Sequence, residues 1–274
     1  VWDYSLNNDW TELCGTGTTA TPIDQWFHMA IVRNGDVFKM YIDGVAGSVT
    51  RTQSGDQVST KGPMIGWHRA TADRYLEDSY LDDFRISNIA RYTGNFTPST
   101  TAFTDDTNTV LLLNMDGANG GTTFTDSATG HPVGVSGDAK QERVSTRHVI
   151  RYDHTSAHIT GPKFGSSSMA FTSGSAPSGS SANDYITVAY APQFNFGTGD
   201  FTIEQWIQFR DEIDMSNADV RNPAWFGYGG FTAAFGVGHH PGWGSGMRMN
   251  VWQAPGTDHV SNEIYGLNDH NWHH

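Results

Sequence analysis

Two aromatic segments flanked by glycine carry the residues best suited to recognition chemistry. Trp225, Phe226 and Tyr228 form the first; His239, His240 and Trp243 form the second. Aromatic rings on a sheet edge or loop stack on the apolar faces of sugars, and nearby Asn, Asp or His side chains fix the hydroxyls. Trp225, Tyr228, His239, His240 and Trp243 are therefore candidates for a glycan-binding rim. Large β proteins also spend such rings on their cores, and Phe226 and Trp206 are read that way. For Trp243 and His240 both readings stay open.

The 12 histidines include a cluster at His270, His273 and His274, a composition that could ligate a transition metal. His274 matches His28 in a repeated stretch, and His28 lies in a segment that alternates regularly. A sheet histidine is the preferred reading. Hydrolytic motifs are missing: there is no Gly-x-Ser-x-Gly elbow, no His-Glu-x-x-His and no phosphate loop. Asn95-Phe96-Thr97 is a glycosylation sequon.

These residues need elements to position them, and the composition points to β structure. The chain has 274 residues, with 31 Gly, 12% aromatics and only 16% charged residues. That is the profile of a turn-rich all-β protein. A net charge of −13 argues against a nucleic-acid partner, which requires a basic face. With the single cysteine Cys14 no intrachain disulfide forms, so the core must hold the fold. There is no apolar run of membrane-spanning length, so no membrane insertion is expected.

Residues 26–43 predict a hairpin. Two β-rich runs flank Asn34-Gly35, the pair favoured in a type I′ turn. Phe38, Met40 and Ile42 share one face of the second strand; Val37, Lys39 and Tyr41 share the other. Residues 80–87 alternate, with Leu81, Asp83 and Arg85 on one face and Asp82, Phe84 and Ile86 on the other. Residues 88–91 read as a short helical turn. Residues 110–117 are apolar enough for a strand buried on both faces. In residues 201–209, Phe201, Ile203, Gln205, Ile207 and Phe209 share a face, opposite Thr202, Glu204, Trp206 and Gln208. The polar segment 138–163 reads as a surface excursion.

The chain also repeats itself. Val1-Trp2 and Asp24-Gln25-Trp26-Phe27-His28 recur about 250 residues later as Val251-Trp252 and His270-Asn271-Trp272-His273-His274. The reading is a window on a tandem array. Residues 1–106 would be the C-terminal part of one module and residues 107–274 the N-terminal part of the next. A single permuted sandwich built from both segments is the alternative.

Six stretches resemble the laminin-G-like branch of the concanavalin A-like jelly rolls, in the version found in tail-fibre and virion-associated proteins of marine bacteriophages. They are TVLLLNMDG (109–117), TFTDS (123–127), KFGSSSMAF (163–171), FGTGDFTIEQWIQF (196–209), WFHMAIVRNGDVFKMYIDG (26–44) and YLDDFRISNIARYTGNFTP (80–98). The resemblance implies an antiparallel β-sandwich. It also implies that Asp82, Asp83 and Asp116 lie on neighbouring strands, where carboxylates suggest a structural Ca²⁺ site. Against that stands a simpler fate, with Asp83 paired to Arg85 or facing solvent. The glucanases that share this sandwich carry Glu-x-Asp-x-Glu on one strand. No such run occurs here, and Asp211-Glu212-Ile213-Asp214 has the wrong spacing.

The expected function is thus non-enzymatic attachment in an extracellular virion fibre, of tail or head. The partners would be a host-surface glycan or protein receptor and other virion subunits; family analogy adds a homotrimer. A purely structural spacer or capsid-decoration role comes second, and a glycan-cleaving enzyme last.

Overall fold

A computed structural model describes residues 14–15, 25–52, 62–66, 76, 79–142, 162–171, 185–209, 224–230, 233–239 and 247–252. Among these, sixteen strands and one 3₁₀ turn (Pro192–Phe194) are found, with no α-helix. The strands are β1 (Cys14–Gly15), β2 (Phe27–Asn34), β3 (Val37–Ile42), β4 (Val45–Ala46), β5 (Val49–Thr52), β6 (Pro63–Ile65), β7 (Ser79–Ser87) and β8 (Thr109–Leu113). They continue as β9 (Val133–Ser136), β10 (Lys140–Glu142), β11 (Ser168–Phe171), β12 (Tyr185–Val188), β13 (Phe201–Phe209), β14 (Ala224–Gly230), β15 (Ala233–His239) and β16 (Met247–Trp252).

All pairings are antiparallel. Sheet I runs β10-β11-β7-β13-β2-β3-β5, with β8 also on β7 and β4 on β3. Sheet II runs β1-β16-β15-β14-β6-β12-β9. Strand β5 pairs both β3 and β1, so the two sheets are joined there. One apolar cluster draws from both sheets. Phe27, Met29, Ile31, Phe38, Met40, Ile42, Phe84, Ile86, Phe201, Ile203 and Ile207 come from sheet I; Ile65, Ile186 and Val188 come from sheet II. This is an antiparallel β-sandwich of the concanavalin A-like kind, as the sequence predicts.

The hairpin forms with its expected faces: Phe38, Met40 and Ile42 enter the core, and Tyr41 packs in a separate cluster with Ala30 and Val32. Its turn differs by one residue. Asn34 pairs with Val37, so the loop is Gly35-Asp36, not Asn34-Gly35. Gly35 has φ 62°, and Asp36 is not left-handed. A positive φ at the first central residue only is the type II′ pattern, which calls for Gly there.

The alternation read for residues 80–87 fails at one place. Arg85 pairs with Glu204 while Asp82 pairs with Trp206, so Asp83 and Phe84 together oppose Gln205. Asp83 has φ 53°. This bulge shifts the phase, so Leu81, Phe84 and Ile86 all face the core. Asp83 and Arg85 therefore do not share a face with Leu81. The bulge also marks a change of partner. On its free flank β7 pairs β11 from Ser79 to Leu81, then β8 from Phe84 to Ser87.

Two further expectations change, and the strand pairing bears on a third. Residues 88–91 form a bend at 88–89 followed by irregular chain, not a helical turn. In the polar segment 138–163, residues 140–142 form β10, which pairs with β11, while residues 143–161 lie outside the described residues. Most consequentially, the division at 106/107 does not divide the sheet. Strand β2 pairs β13 over seven residue pairs, from Phe201↔Arg33 to Ile207↔Phe27, and β7 pairs β8, β11 and β13. Strands from both segments thus pair in one sheet and contribute side chains to one core. The physical reason is complementary apolar faces: β2, β7 and β13 each bury one face in the same cluster.

Residues 88–108 cross the outer face of sheet I. Tyr92 and Phe96 pack on Ala30, Val32 and Tyr41, and Phe103 packs with Leu112 and Trp206. Gly44 lets this strap come close. It has φ 77°, and a Cβ there would sit 1.9 Å from the Phe96 carbonyl oxygen.

Candidate functional site

Alternation along β2 and β13 puts His28, Glu204 and Trp206 on the outer face of sheet I, beneath the strap. Glu204 is fully buried. Its Oε1 accepts from Arg85 Nε at 2.8 Å and lies 2.6 Å from Arg85 Nη2. Its Oε2 accepts from the Tyr92 hydroxyl at 2.7 Å and lies 3.2 Å from His28 Nε2. A carboxylate only accepts, so His28 Nε2 carries the proton. Four donors on two oxygens fill the carboxylate's capacity. Burial alone would raise the Glu204 pKa. The His28 hydrogen bond, the Arg85 charge and Tyr92 outweigh it and hold the group below its ordinary range. The Tyr92 phenol is pushed up, by burial first and then by the Glu204 charge.

The network is fixed from the strap side. Arg91 makes two hydrogen bonds to Asp106, each 2.9 Å, and a third to Ser87 Oγ at 2.5 Å. Arg91 holds the Asp106 carboxyl well below the usual range. Arg85 lies over the Phe103 ring, 4.2 Å from its centroid. The His28 ring meets Tyr92, Phe96, Phe103 and Trp206 edge-on. Chemically this cluster locks strap to sheet. A glycosidase acid needs a raised pKa and access to a leaving group, whereas Glu204 is lowered and sealed.

The structure brings Asp82, Asp83 and Asp116 together, at the point where β8 leaves β7 and β11 takes its place. Asp83 Oδ2 accepts from the Phe103 N–H at 2.5 Å, and Oδ1 from Asn114 Nδ2 at 2.7 Å. Asp82 Oδ2 accepts from the Phe164 N–H at 3.0 Å, and its buried Oδ1 has no partner. Asp116 Oδ1 accepts from the Ser166 N–H, and Ser167 Oγ ties Met115 and Gly117 together. Burial pushes Asp82 up to about 8 and Asp83 up to about 6, with repulsion among the three acids adding to both.

Both Asp83 oxygens are committed to N–H donors, and Asp116 is turned onto the 165–166 backbone. Among the described residues, no group of three or more His, Cys, Asp or Glu side chains could hold a metal ion. Nor is Asp83 simply paired to Arg85 or solvated. The acids cap backbone N–H groups that a strand exchange would otherwise leave orphaned.

The candidate glycan residues fall in sheet II. Trp225 sits at an irregularity in the β14–β15 ladder, between Ala224 and Phe226. Tyr228 pairs with Phe235 on one side and Pro63 on the other. His239 ends β15, opposite Met247. Ala224 pairs with Gly238, so Trp225 and His239 lie at the same end of the ladder. His240 and Trp243 lie outside the described residues, as do His270, His273 and His274.

Sequence reasoning treated Glu204 only as one residue of a polar face, and did not foresee its network. The available signal was a lone acid in the otherwise uncharged run 201–209, matched by a lone arginine in 84–87. Charges inside strands of a large sandwich are paired when both faces are covered.

Residues 1–95 match the family model of the concanavalin A-like lectin/glucanases superfamily, in its laminin-G-type form. The matched stretch contains β2, β3 and β7 of sheet I and the first residues of the strap. No curated protein and no solved structure matches the chain. The comparisons thus tie the N-terminal third of this sandwich to a superfamily of lectins and glucanases.

Proposed function

We propose that this sandwich is a non-enzymatic carbohydrate-binding module of an attachment protein, with sheet II and its loops as the ligand side. The observation that carries the reading is the commitment of the buried carboxylates. Asp82, Asp83, Asp126 and Glu204 each hold backbone N–H groups or side-chain donors in place. That is what a scaffold does with buried acids, and the superfamily match over residues 1–95 supplies the carbohydrate context. A host-surface glycan or protein receptor would be the target, with Trp225, Tyr228, His239, His240 and Trp243 forming the rim. The virion fibre setting, companion subunits and a trimer extend the resemblance of residues 26–44, 80–98, 109–117, 123–127, 163–171 and 196–209 to phage fibre modules. Weak sites on the copies of a trimer would then add through avidity.

A glycan array and a reducing-sugar release assay on the same preparation test this reading. Binding without release is expected, weakened at least several-fold by Trp225→Ala and Trp243→Ala. A binding profile unchanged in both variants would remove the rim. Sugar release by the wild type would replace the proposal with the glucanase alternative.

A further inference from the structure

Tyr190 is a large, partly apolar side chain held exposed at 45%. It follows β12, whose register on β6 leads on to β14: Ile186 and Phe226 both pair with Ile65, and Thr187 and Gly227 both pair with Met64. Tyr190 therefore stands just beyond the strand ends where Tyr228 meets Pro63.

Its exposure is not that of a loose segment. Ala189 N–H donates to the Pro132 carbonyl at 2.9 Å. Pro192 opens a 3₁₀ turn in which Phe194 N–H returns to Ala191 and Asn195 N–H to Pro192. Phe194 is fully buried against the His131 ring, and Phe196 stacks on Phe201 with centroids 4.6 Å apart. The backbone of residue 62 presses on the same stretch, since a Cβ on Gly62 would lie 2.9 Å from Tyr190 N. With anchors on both sides, the ring is held in the open.

The polar end of the ring is also set. Asn195 Nδ2 donates to the Tyr190 hydroxyl oxygen at 2.8 Å. That contact uses an acceptor site and leaves the phenolic proton directed elsewhere, for a ligand or water. A rigid ring face, a fixed phenol donor and an adjoining carboxamide match a pyranose, which presents one apolar C–H face and a rim of hydroxyls. Preorganisation lowers the entropy cost of binding. The net charge of −13 disfavours approach of polyanionic glycans.

We infer that Tyr190 and Asn195 form a stacking subsite for a neutral pyranose at the β12 end of sheet II. This rests on the carbohydrate-binding reading above and adds a site and a ligand class to it.

The test uses the full chain on an array of neutral, sialylated and sulfated oligosaccharides. The best neutral hit is then titrated against wild type, Tyr190→Ala, Tyr190→Phe and Trp225→Ala, with thermal melts as the folding control. Tyr190→Ala should lose about tenfold in affinity and Tyr190→Phe about two- to fivefold, with unchanged melting. Equal affinity of wild type and Tyr190→Ala would overturn this subsite while leaving the carbohydrate reading intact. Binding confined to sialylated or sulfated glycans would do the same. No binding to any glycan would overturn both.

Discussion

Glu204 shows how one buried charge sets the character of a whole sheet face. Withdrawing a carboxylate from water costs several kcal/mol, and only full pairing offsets that. Here the pairing is full, so the weak point is its partner. Arg85→Met should destabilise the fold by about 3–5 kcal/mol, because Glu204 is left charged, buried and short of donors. The double variant Arg85→Met with Glu204→Gln should lose less than that single change, since no unpaired charge remains. Urea unfolding midpoints check both. A cost below about 1 kcal/mol for Arg85→Met would mean that the network contributes nothing distinctive. Little of this was legible beforehand. Sequence alternation placed Glu204 and Trp206 on one face correctly, but it could not reveal that the strap 88–108 covers that face. Residues 88–108 pair with no strand, and periodicity reports only on strands and helices.

At the scale of elements, the exchange of β8 for β11 along β7 is the least regular part of sheet I, and it gathers its acids for that reason. Asp82 and Asp83 have pKa values of about 8 and about 6, raised from 3.8. Their folded forms hold protons that the unfolded chain releases near pH 4. Their stabilising contribution is thus complete below about pH 4 and is lost progressively as pH rises through 6 to 8. The depressed groups, Glu204 and Asp126, contribute a constant amount over that window and lose it only in acid. Stability should therefore fall from pH 5 to pH 8, and Asp82→Asn should flatten the upper part of that slope. Guanidinium midpoints measured across the range decide the matter; stability rising from pH 5 to pH 8 would contradict the assignment. The sequence predicted Asp82 and Asp83 on opposite faces and Asp116 in another module. A single left-handed residue at Asp83 undid the first expectation, and such a bulge has no periodic signature when the residue is Asp rather than Gly. Hairpin β2–β3 and strand β13 were legible because their apolar positions keep the phase of the pleat, even across Gln205.

For the whole molecule, the order of the pieces matters more than any one of them. The stretches resembling the laminin-G-like fold occur in rotated order along the chain, and the sequence alone favoured two incomplete modules. In the structure β13 lies between β2 and β7 and closes sheet I across the 106/107 boundary, and the central cluster takes side chains from residues on both sides of it. Sequence could not decide between these arrangements because strand faces specify register, not which copy of a partner supplies it. The functional reading depends on the outcome, since sheet II owes its place over the core to this closure. The decisive measurement is a set of backbone NOEs between β2 and β13, collected on a mixture of isotope-labelled and unlabelled chains. Intramolecular contacts pairing Ile31 with Ile203 and Met29 with Gln205 are the expected result. Contacts seen only between chains, or none between these strands, would contradict the single-sandwich account.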